Sequence, residues 1–536
     1  MSRPKRKRSA EAAETPGRLG RAISSWFLPD LSLTVALAAV VYCLTVYNAP
    51  VRMFGDSDPG WHTVAGEQML RTGHIPRVDT FSFLNTGHGW YSWEWLAEIV
   101  MALFHRWLGL SGLVLLFTVA IGVSLWMCFR LHLRLGGDFF LACVMALPLV
   151  TTAEIHWLAR PHVLSYLFLL ALVFYLERAG ERFSARDAMV MAFGTALWAG
   201  IHGSFVLAPA IALLYAAGHA AATLWKDADV RREWRMARWF LLAAVCSAAG
   251  TPLNPYGLAL HSHLLHFSTA QIAPHIREWR PPSMSGPAGW LLLLTTGLGV
   301  AGALLALWQR KVAHFLVCAF LIVLALKAAR GLPLMALVAL PMANAAITGA
   351  LQRIRHRASL AGWAMGISAE MRSLDRGHHG AALALLAAIG VFSWLLQPEV
   401  VARTGFHPAR YPVEAASTVA ALPSSSRIFA DFPVGGYFIY RFDGRRRVWF
   451  DGRVDFFGPE PLLQFEQISQ LRPGWRDAMD KIGFTHAVTY KRDRLAHALM
   501  DAGWRPLFTG RLWIVLENPA SARVADRSGP GAARQM

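Results

Sequence analysis

Apolar runs close to the length of a bilayer crossing recur through residues 28–398 of this chain. A helix needs about 20 consecutive apolar residues to cross the hydrocarbon core. Inside that core only helices and closed barrels satisfy their own backbone. The pattern confines the chain to a polytopic α-helical membrane protein. Candidate spans fall at 28–47, 111–131, 139–155, 162–177, 188–201, 203–222, 239–252, 287–308, 311–327, 331–349 and 380–397, about eleven in all. Composition agrees: 16% of the 536 residues are charged and 55% are hydrophobic, against about a quarter charged in a soluble chain. An ordinary cytosolic enzyme, a disordered scaffold and a small disulfide-stapled domain are excluded. The formal charge of +18 does not point to nucleic acid, because Lys and Arg gather between the apolar runs, where they set topology.

The chain opens Met1-Ser2-Arg3-Pro4-Lys5-Arg6-Lys7-Arg8, and residues 1–27 read as a disordered basic cytoplasmic tail. Asn48-Ala49-Pro50 follows the first run with no small-x-small cleavage site, so that run reads as an uncleaved anchor. The chain then emerges on the outer face. Inside loops carry Arg130 and Arg134, then Arg178, Arg182 and Arg186, then Lys226, Arg231, Arg232, Arg235 and Arg238. Arg310 and Lys311 follow, then Arg353, Arg355, Arg357, Arg372 and Arg376. Loop after loop agrees with an excess of positive charge inside, and an odd number of spans leaves the carboxy-terminal part outside. The apolar helix at 93–108 carries Glu94, Glu98, His105 and Arg106. Burying these in lipid is costly, so it reads as an interfacial helix within an outer loop, 48–110. Cys43, Cys128, Cys143, Cys246 and Cys318 all lie in apolar runs and read as small core hydrophobes.

The transmembrane part therefore covers 28–398. Residues 399–518 read as a small α/β domain. Strand-like runs fall at 427–432, 437–441, 447–450, 487–490 and 512–516, and helical runs at 461–471, 475–482 and 494–502. Residues 519–536, rich in Ala, Arg and Gly, read as a disordered tail.

The unusual polar residues of the membrane part fall on one side. The first outer loop reads Phe54-Gly55-Asp56-Ser57-Asp58-Pro59-Gly60-Trp61-His62; the second, Glu154-Ile155-His156-Trp157-Leu158-Ala159-Arg160-Pro161-His162. Later outer loops hold His202-Gly203, Asn254-Pro255-Tyr256-Gly257, the stretch from His275 through Glu278 to Arg280, and Lys327 with Arg330. Ionisable groups at membrane depth are expensive and mark function by default, and their convergence predicts one outward-facing polar cavity. A carboxylate can serve there as a general base or hold a divalent cation. Arg and His can hold a phosphate, and Trp or Tyr can stack on a sugar. Together they suit glycosyl transfer from a lipid phosphate. Each group also has an ordinary use. Asp56 and Asp58 can cap a helix, and Arg160 and Arg330 can snorkel to headgroups. His156 and His162 can sit at the interface, His202-Gly203 can be a packing point, and Glu94 and Glu98 can form a solvated face. Asn254-Pro255-Tyr256-Gly257 can be a turn. Asp451-Gly452-Arg453 can touch substrate or be an ordinary turn.

Asp56-Ser57-Asp58-Pro59-Gly60-Trp61-His62, followed by Gly73-His74-Ile75-Pro76-Arg77-Val78-Asp79-Thr80-Phe81-Ser82, resembles integral-membrane glycosyltransferases of the GT-C class, and most nearly oligosaccharyltransferase catalytic subunits. Asp431-Phe432-Pro433-Val434-Gly435-Gly436-Tyr437-Phe438-Ile439 and Val448-Trp449-Phe450-Asp451-Gly452-Arg453 resemble the surroundings of the oligosaccharyltransferase Trp-Trp-Asp-Tyr-Gly motif, without the Trp-Trp-Asp itself. The whole chain is similar to bacterial GT-C-like membrane proteins that join such loops to such a tail.

This resemblance implies an inverting transfer of a sugar from a polyprenyl-phosphate-linked donor to a glycan, lipid or protein acceptor on the outer face. Asp58 matches the catalytic or metal-binding Asp, with Asp56 the second choice. Glu154 and His156 would complete an acid/base site, or Glu154 a metal site with Asp58 if a divalent cation (Mg or Mn) is used. Arg160, His162 and Arg330 would neutralise the leaving phosphate. Glu278 stands in for a later outer-loop Glu, and His202 and His62 join the substrate-binding set. The resemblance and the Ala/Arg-rich composition place the chain in a bacterial inner membrane, with its amino terminus cytoplasmic and its carboxy-terminal domain periplasmic. A transporter or flippase for lipid-linked sugars is the rival reading; it should show polar residues on both membrane sides.

Overall fold

A computed structural model describes residues 24–180, 182–269, 276–354 and 360–519. Each of the eleven apolar segments is helical there. Six helices are long and apolar enough to cross a membrane: Ser24–Leu44, Leu110–Arg134, Phe139–His156, Gly203–Ala222, Gly289–Trp308 and Ala329–Arg353. Pro161–Leu176, Val312–Lys327 and Ala381–Leu395 are shorter apolar helices. The remaining two, Ala185–Ile201 and Val230–Gly250, open on charged residues. The chain is thus a helical membrane protein. Residues 24–27, expected in the tail, are helical instead and belong to the first candidate span. Residues 1–23 and 520–536 of the two expected tails lie outside the described residues, as do His275, Arg355 and Arg357.

The bundle is built around Leu332–Ile354. Every residue from 331 to 346 is buried, as expected of a helix that is apolar all round. Gly286–Trp308, Val312–Lys327, Phe139–Ala153 and Leu110–Arg134 pack against it. Gly302 lies so close to Ala343 that a Cβ there would overlap it, the small-residue contact that lets membrane helices approach. Outward-facing Val144, Leu147, Phe193, Leu385 and Ile389 are exposed, more apolar surface than water tolerates on a monomer and fitting for lipid.

The carboxy-terminal domain holds a four-stranded sheet: β1 (Ile428–Phe429), β2 (His486–Tyr490), β3 (Arg505–Thr509) and β4 (Trp513–Glu517), in the order β1-β2-β4-β3. β1 and β2 are parallel, and the other pairs are antiparallel. Side chains alternate between two cores, as the pleat requires. Ile428, Val488, Trp513 and Val515 face one core; Phe429, Ala487, Ile514 and Leu516 face the other. The first core also contains Trp61, Val64, Ala65, Met69, Phe81 and Trp90. The first loop and the sheet therefore share one hydrophobic core.

The contact is made by Phe432–Arg441, which lies on Asp58–Thr72. The expectation of a strand at 437–441 is corrected: that run is helical. Its Tyr-Phe-Ile-Tyr composition favours a strand, but Pro433 in the first turn starts a helix and one side of it buries Tyr437 and Phe438. The expected strand at 447–450 is also corrected. It does not join the sheet; Val448 pairs with the first loop, donating to Phe81 O at 2.8 Å and accepting from Phe83 N at 3.0 Å. The helices expected at 461–471, 475–482 and 494–502 appear as Glu460–Ser469, Trp475–Ile482 and Arg494–Asp501.

Successive bundle helices alternate direction, so polar groups collect at two ends. One end lies under the sheet domain. At the other, a cavity of about 600 Å³ opens among Arg134, Glu177, His219, Glu233 and Lys311.

Candidate functional site

Asp58 occupies the first turn of the helix Asp58–Thr72, ahead of Pro59. The N-cap residue Ser57 makes no side-chain cap; Asp56 Oδ1 accepts from the Asp58 N–H at 3.2 Å instead. Asp56 thus partly fills the capping role, and Asp58 does not. Arg160 precedes Pro161, the first residue of the helix Pro161–Leu176. Its extended backbone (φ −129, ψ 151) is the conformation that a following proline imposes.

Arg160 is the centre of the site. Its Nη2 lies 2.7 Å from Asp58 Oδ2, and its Nη1 lies 3.1 Å from Asp56 Oδ2 and 3.5 Å from Glu278 Oε2. Asp58 Oδ1 accepts from Trp61 Nε1 at 3.3 Å. His156 Nδ1 stands 3.8 Å from Glu278, and His162 Nε2 donates to the His156 carbonyl at 2.9 Å. Asp58 is 5% exposed, while the side chains of Asp56, Arg160 and Glu278 keep 23%, 21% and 22% exposure. Those three form an accessible rim above a buried acid.

Arg330 stands beside this rim. Its guanidinium lies over Trp279 at 4.5 Å and 3.4 Å from His202 Nε2. No carboxylate lies within 4.0 Å of it among the described residues. His202 in turn faces Glu94 at 3.7 Å, and its ring is 6.2 Å from that of His162. Both arginines are thus held by protein partners, Arg160 by carboxylates and Arg330 by Trp279 and His202. Gly203 is also the expected packing point, since a Cβ there would overlap Trp93.

A second polar layer lies beneath. His62 is sandwiched between two carboxyls: Nε2 is 3.4 Å from Glu94 and Nδ1 is 3.1 Å from Glu98. Glu98 also accepts a hydrogen bond from the Ser92 hydroxyl. All of these are buried, so the alternative of a solvated Glu94/Glu98 face is corrected. Their i, i+4 spacing puts both on one helix face, and that face meets His62. Asn254 forms the expected turn, accepting from the Tyr256 N–H at 2.8 Å.

Burial sets the protonation of this site. It lifts Asp58 to about 7 against the opposing pull of Arg160, and raises Asp56 in the same way. It lifts Glu98 to about 8, raises Glu94 well above the usual carboxylate range, with Glu98 adding to the effect, and holds His62 neutral. Glu278 goes the other way. Burial opposes its ionisation, but Arg160 and Arg330 outweigh it and hold the carboxylate down at about 2. One rim carboxylate is therefore a fixed anion, and Asp58 is poised to exchange a proton near neutrality.

Glu154 is apart from this cluster. It accepts from the Tyr42 hydroxyl at 2.5 Å and makes no ion pair with the site among the described residues. The Asp58 carboxylate is already taken by a guanidinium and an indole. The pair does not fit a shared divalent cation, and among the described residues no group of three or more His, Cys, Asp or Glu side chains is arranged to hold a metal.

Sequence reasoning missed a third feature. Arg453, 1% exposed, donates through Nε and Nη2 to Asp451 at 2.8 and 2.7 Å, and through Nη1 to Asp79 at 2.8 Å. Asp79 also accepts from the backbone N–H groups of Phe81 and Ser82. Asp451-Gly452-Arg453 is thus no ordinary turn: it locks the first loop to the sheet domain. Gly452 sits against the Asp58 carboxylate so closely that a Cβ would overlap Oδ1.

The chain matches no protein-family model and no curated protein.

Proposed function

We propose that the chain is a membrane glycosyltransferase of the GT-C type, moving a sugar from a polyprenyl-phosphate donor to an acceptor on the outer face of a bacterial inner membrane. All eleven apolar helices cross in this reading, which leaves the amino terminus cytoplasmic and the sheet domain periplasmic. The observation that carries it is the convergence of Asp56, Asp58 and Glu278 on Arg160 beside Arg330, at the junction of bundle and sheet domain.

Asp58 takes the proton of the acceptor hydroxyl. The acceptor oxygen bonds to the anomeric carbon from the face opposite the phosphate, the bond from that carbon to the phosphate oxygen breaks, and the configuration inverts. The departing phosphate gains charge, which Arg330 balances with His202 and His162 at its side. Arg160 is already held by three carboxylates, so it positions Asp58 rather than clamping the phosphate. The test is sugar transfer from a panel of radiolabelled polyprenyl-phosphate sugars by the purified chain beside Asp58→Asn and Arg330→Ala. Loss of transfer in both folded variants supports the reading.

A transporter for lipid-linked sugars draws on a different observation, the polar cavity at the opposite end of the bundle. It predicts donor binding without turnover, unchanged in Asp58→Asn.

A further inference from the structure

The cavity at the end away from the sheet domain has a layered chemistry. Its floor holds two carboxylates already paired with imidazoles. Glu177 Oε1 pairs with His314 Nε2 at 2.9 Å and accepts from the Tyr215 hydroxyl at 2.5 Å. Glu233 Oε2 pairs with His219 Nδ1 at 2.7 Å. Among the described residues the second oxygen of each carboxylate accepts no hydrogen bond. Its mouth holds four exposed cations, Arg134, Arg232, Arg310 and Lys311. Arg310 pairs with Asp227 and Arg134 donates to the Glu177 carbonyl. Arg232 and Lys311 form no ion pair among the described residues.

We propose that this cavity binds a phosphate ester of a polyol. The phosphate sits at the mouth on Arg232 and Lys311, where charge-assisted hydrogen bonds are strongest. The hydroxyls reach the floor and donate to the free oxygens of Glu177 and Glu233. The volume of about 600 Å³ lies within the usual range for small-molecule sites, about 300–1,000 Å³. Basic loop residues that serve topology alone need only face water. They require no pair of carboxylates held half-buried by imidazoles behind them. The ligand's source is either a soluble sugar phosphate or the headgroup of an inositol lipid, since both present this chemistry.

The test uses the full chain in phosphatidylcholine nanodiscs. Calorimetry reads binding of glucose 6-phosphate, inorganic phosphate and glucose, and native mass spectrometry reads retention of added phosphatidylinositol. Glucose 6-phosphate or phosphatidylinositol is held, and the double variant Arg232→Ala/Lys311→Ala weakens that binding about tenfold or more without lowering the melting temperature. Glu177→Gln weakens glucose 6-phosphate but leaves inorganic phosphate unchanged, which separates the floor from the mouth. Calorimetric binding assigns a soluble ligand, and retention of the lipid alone assigns a headgroup. The proposal is overturned if neither probe is held, or if the double variant holds both as well as the wild-type chain does.

Discussion

Arg160 Nη2 stands 2.7 Å from Asp58 Oδ2, and this contact joins two loops 102 residues apart in the chain. The same guanidinium reaches Asp56 and Glu278, so one side chain gathers three acids into a single site. A planar fork with five donors suits this task; a lysine ammonium does not.

Arg160→Ala therefore strips three clustered carboxylates of their shared cation. The expected loss is about 3 kcal/mol, the low end of the cost of removing one partner from a buried ion pair, because the rim is partly open to water. Arg160→Lys restores only part of it. Thermal unfolding in detergent at neutral pH reads both variants, and an Arg160→Ala protein as stable as the wild type would refute the clamp.

The pH dependence of stability follows from raised acids. Glu98 titrates at about 8 in the fold and near 4.5 when unfolded. Between those values the folded state holds the extra proton, so stability falls as pH rises and the full penalty applies above about 8. Glu98→Gln cannot ionise and keeps a donor and an acceptor near His62 and Ser92. The melting temperature should drop from pH 5 to pH 9 more steeply in the wild type than in Glu98→Gln. Equal slopes would place the Glu98 proton elsewhere.

Gly452 and Asp58 define a steric test. A Cβ at residue 452 overlaps Asp58 Oδ1, and that carboxylate is pinned by Arg160 and Trp61. Gly452→Ala should cost about 1–3 kcal/mol, as overpacking does, and lower sugar transfer more than it lowers the folded fraction. A variant with wild-type transfer would show that Asp58 is free to move.

Arg453→Met leaves Asp79 and Asp451 buried with no cation, at a cost of about 3–5 kcal/mol. The first loop should then part from the sheet domain. Limited proteolysis should read this as faster cleavage within 73–92 than in the wild type.

The membrane helices were legible because lipid imposes a length and a polarity on each one, and the six long spans and three shorter apolar helices all lie on expected segments. Most of the site was legible for a related reason. Asp56, Asp58, His156, Arg160, Glu278 and Arg330 are costly at membrane depth, and the structure brings them together. Glu154 shows the limit: its neighbour His156 turns into the cluster while Glu154 meets Tyr42. Glu98 and Arg453 escaped because their partners are distant in sequence, His62 for one and Asp79 for the other. β3 escaped because Pro506 and its exposed neighbours carry no alternating pattern.

Whether Asp58 is the base is decided by transfer of radiolabelled sugar from polyprenyl-phosphate donors by the purified chain and by Asp58→Asn, followed across pH 5–9. The wild type should transfer sugar at a rate rising through an apparent pKa of about 7, and folded Asp58→Asn should lose on the order of a hundredfold. Turnover of no donor, with equal donor binding by both proteins, would contradict it.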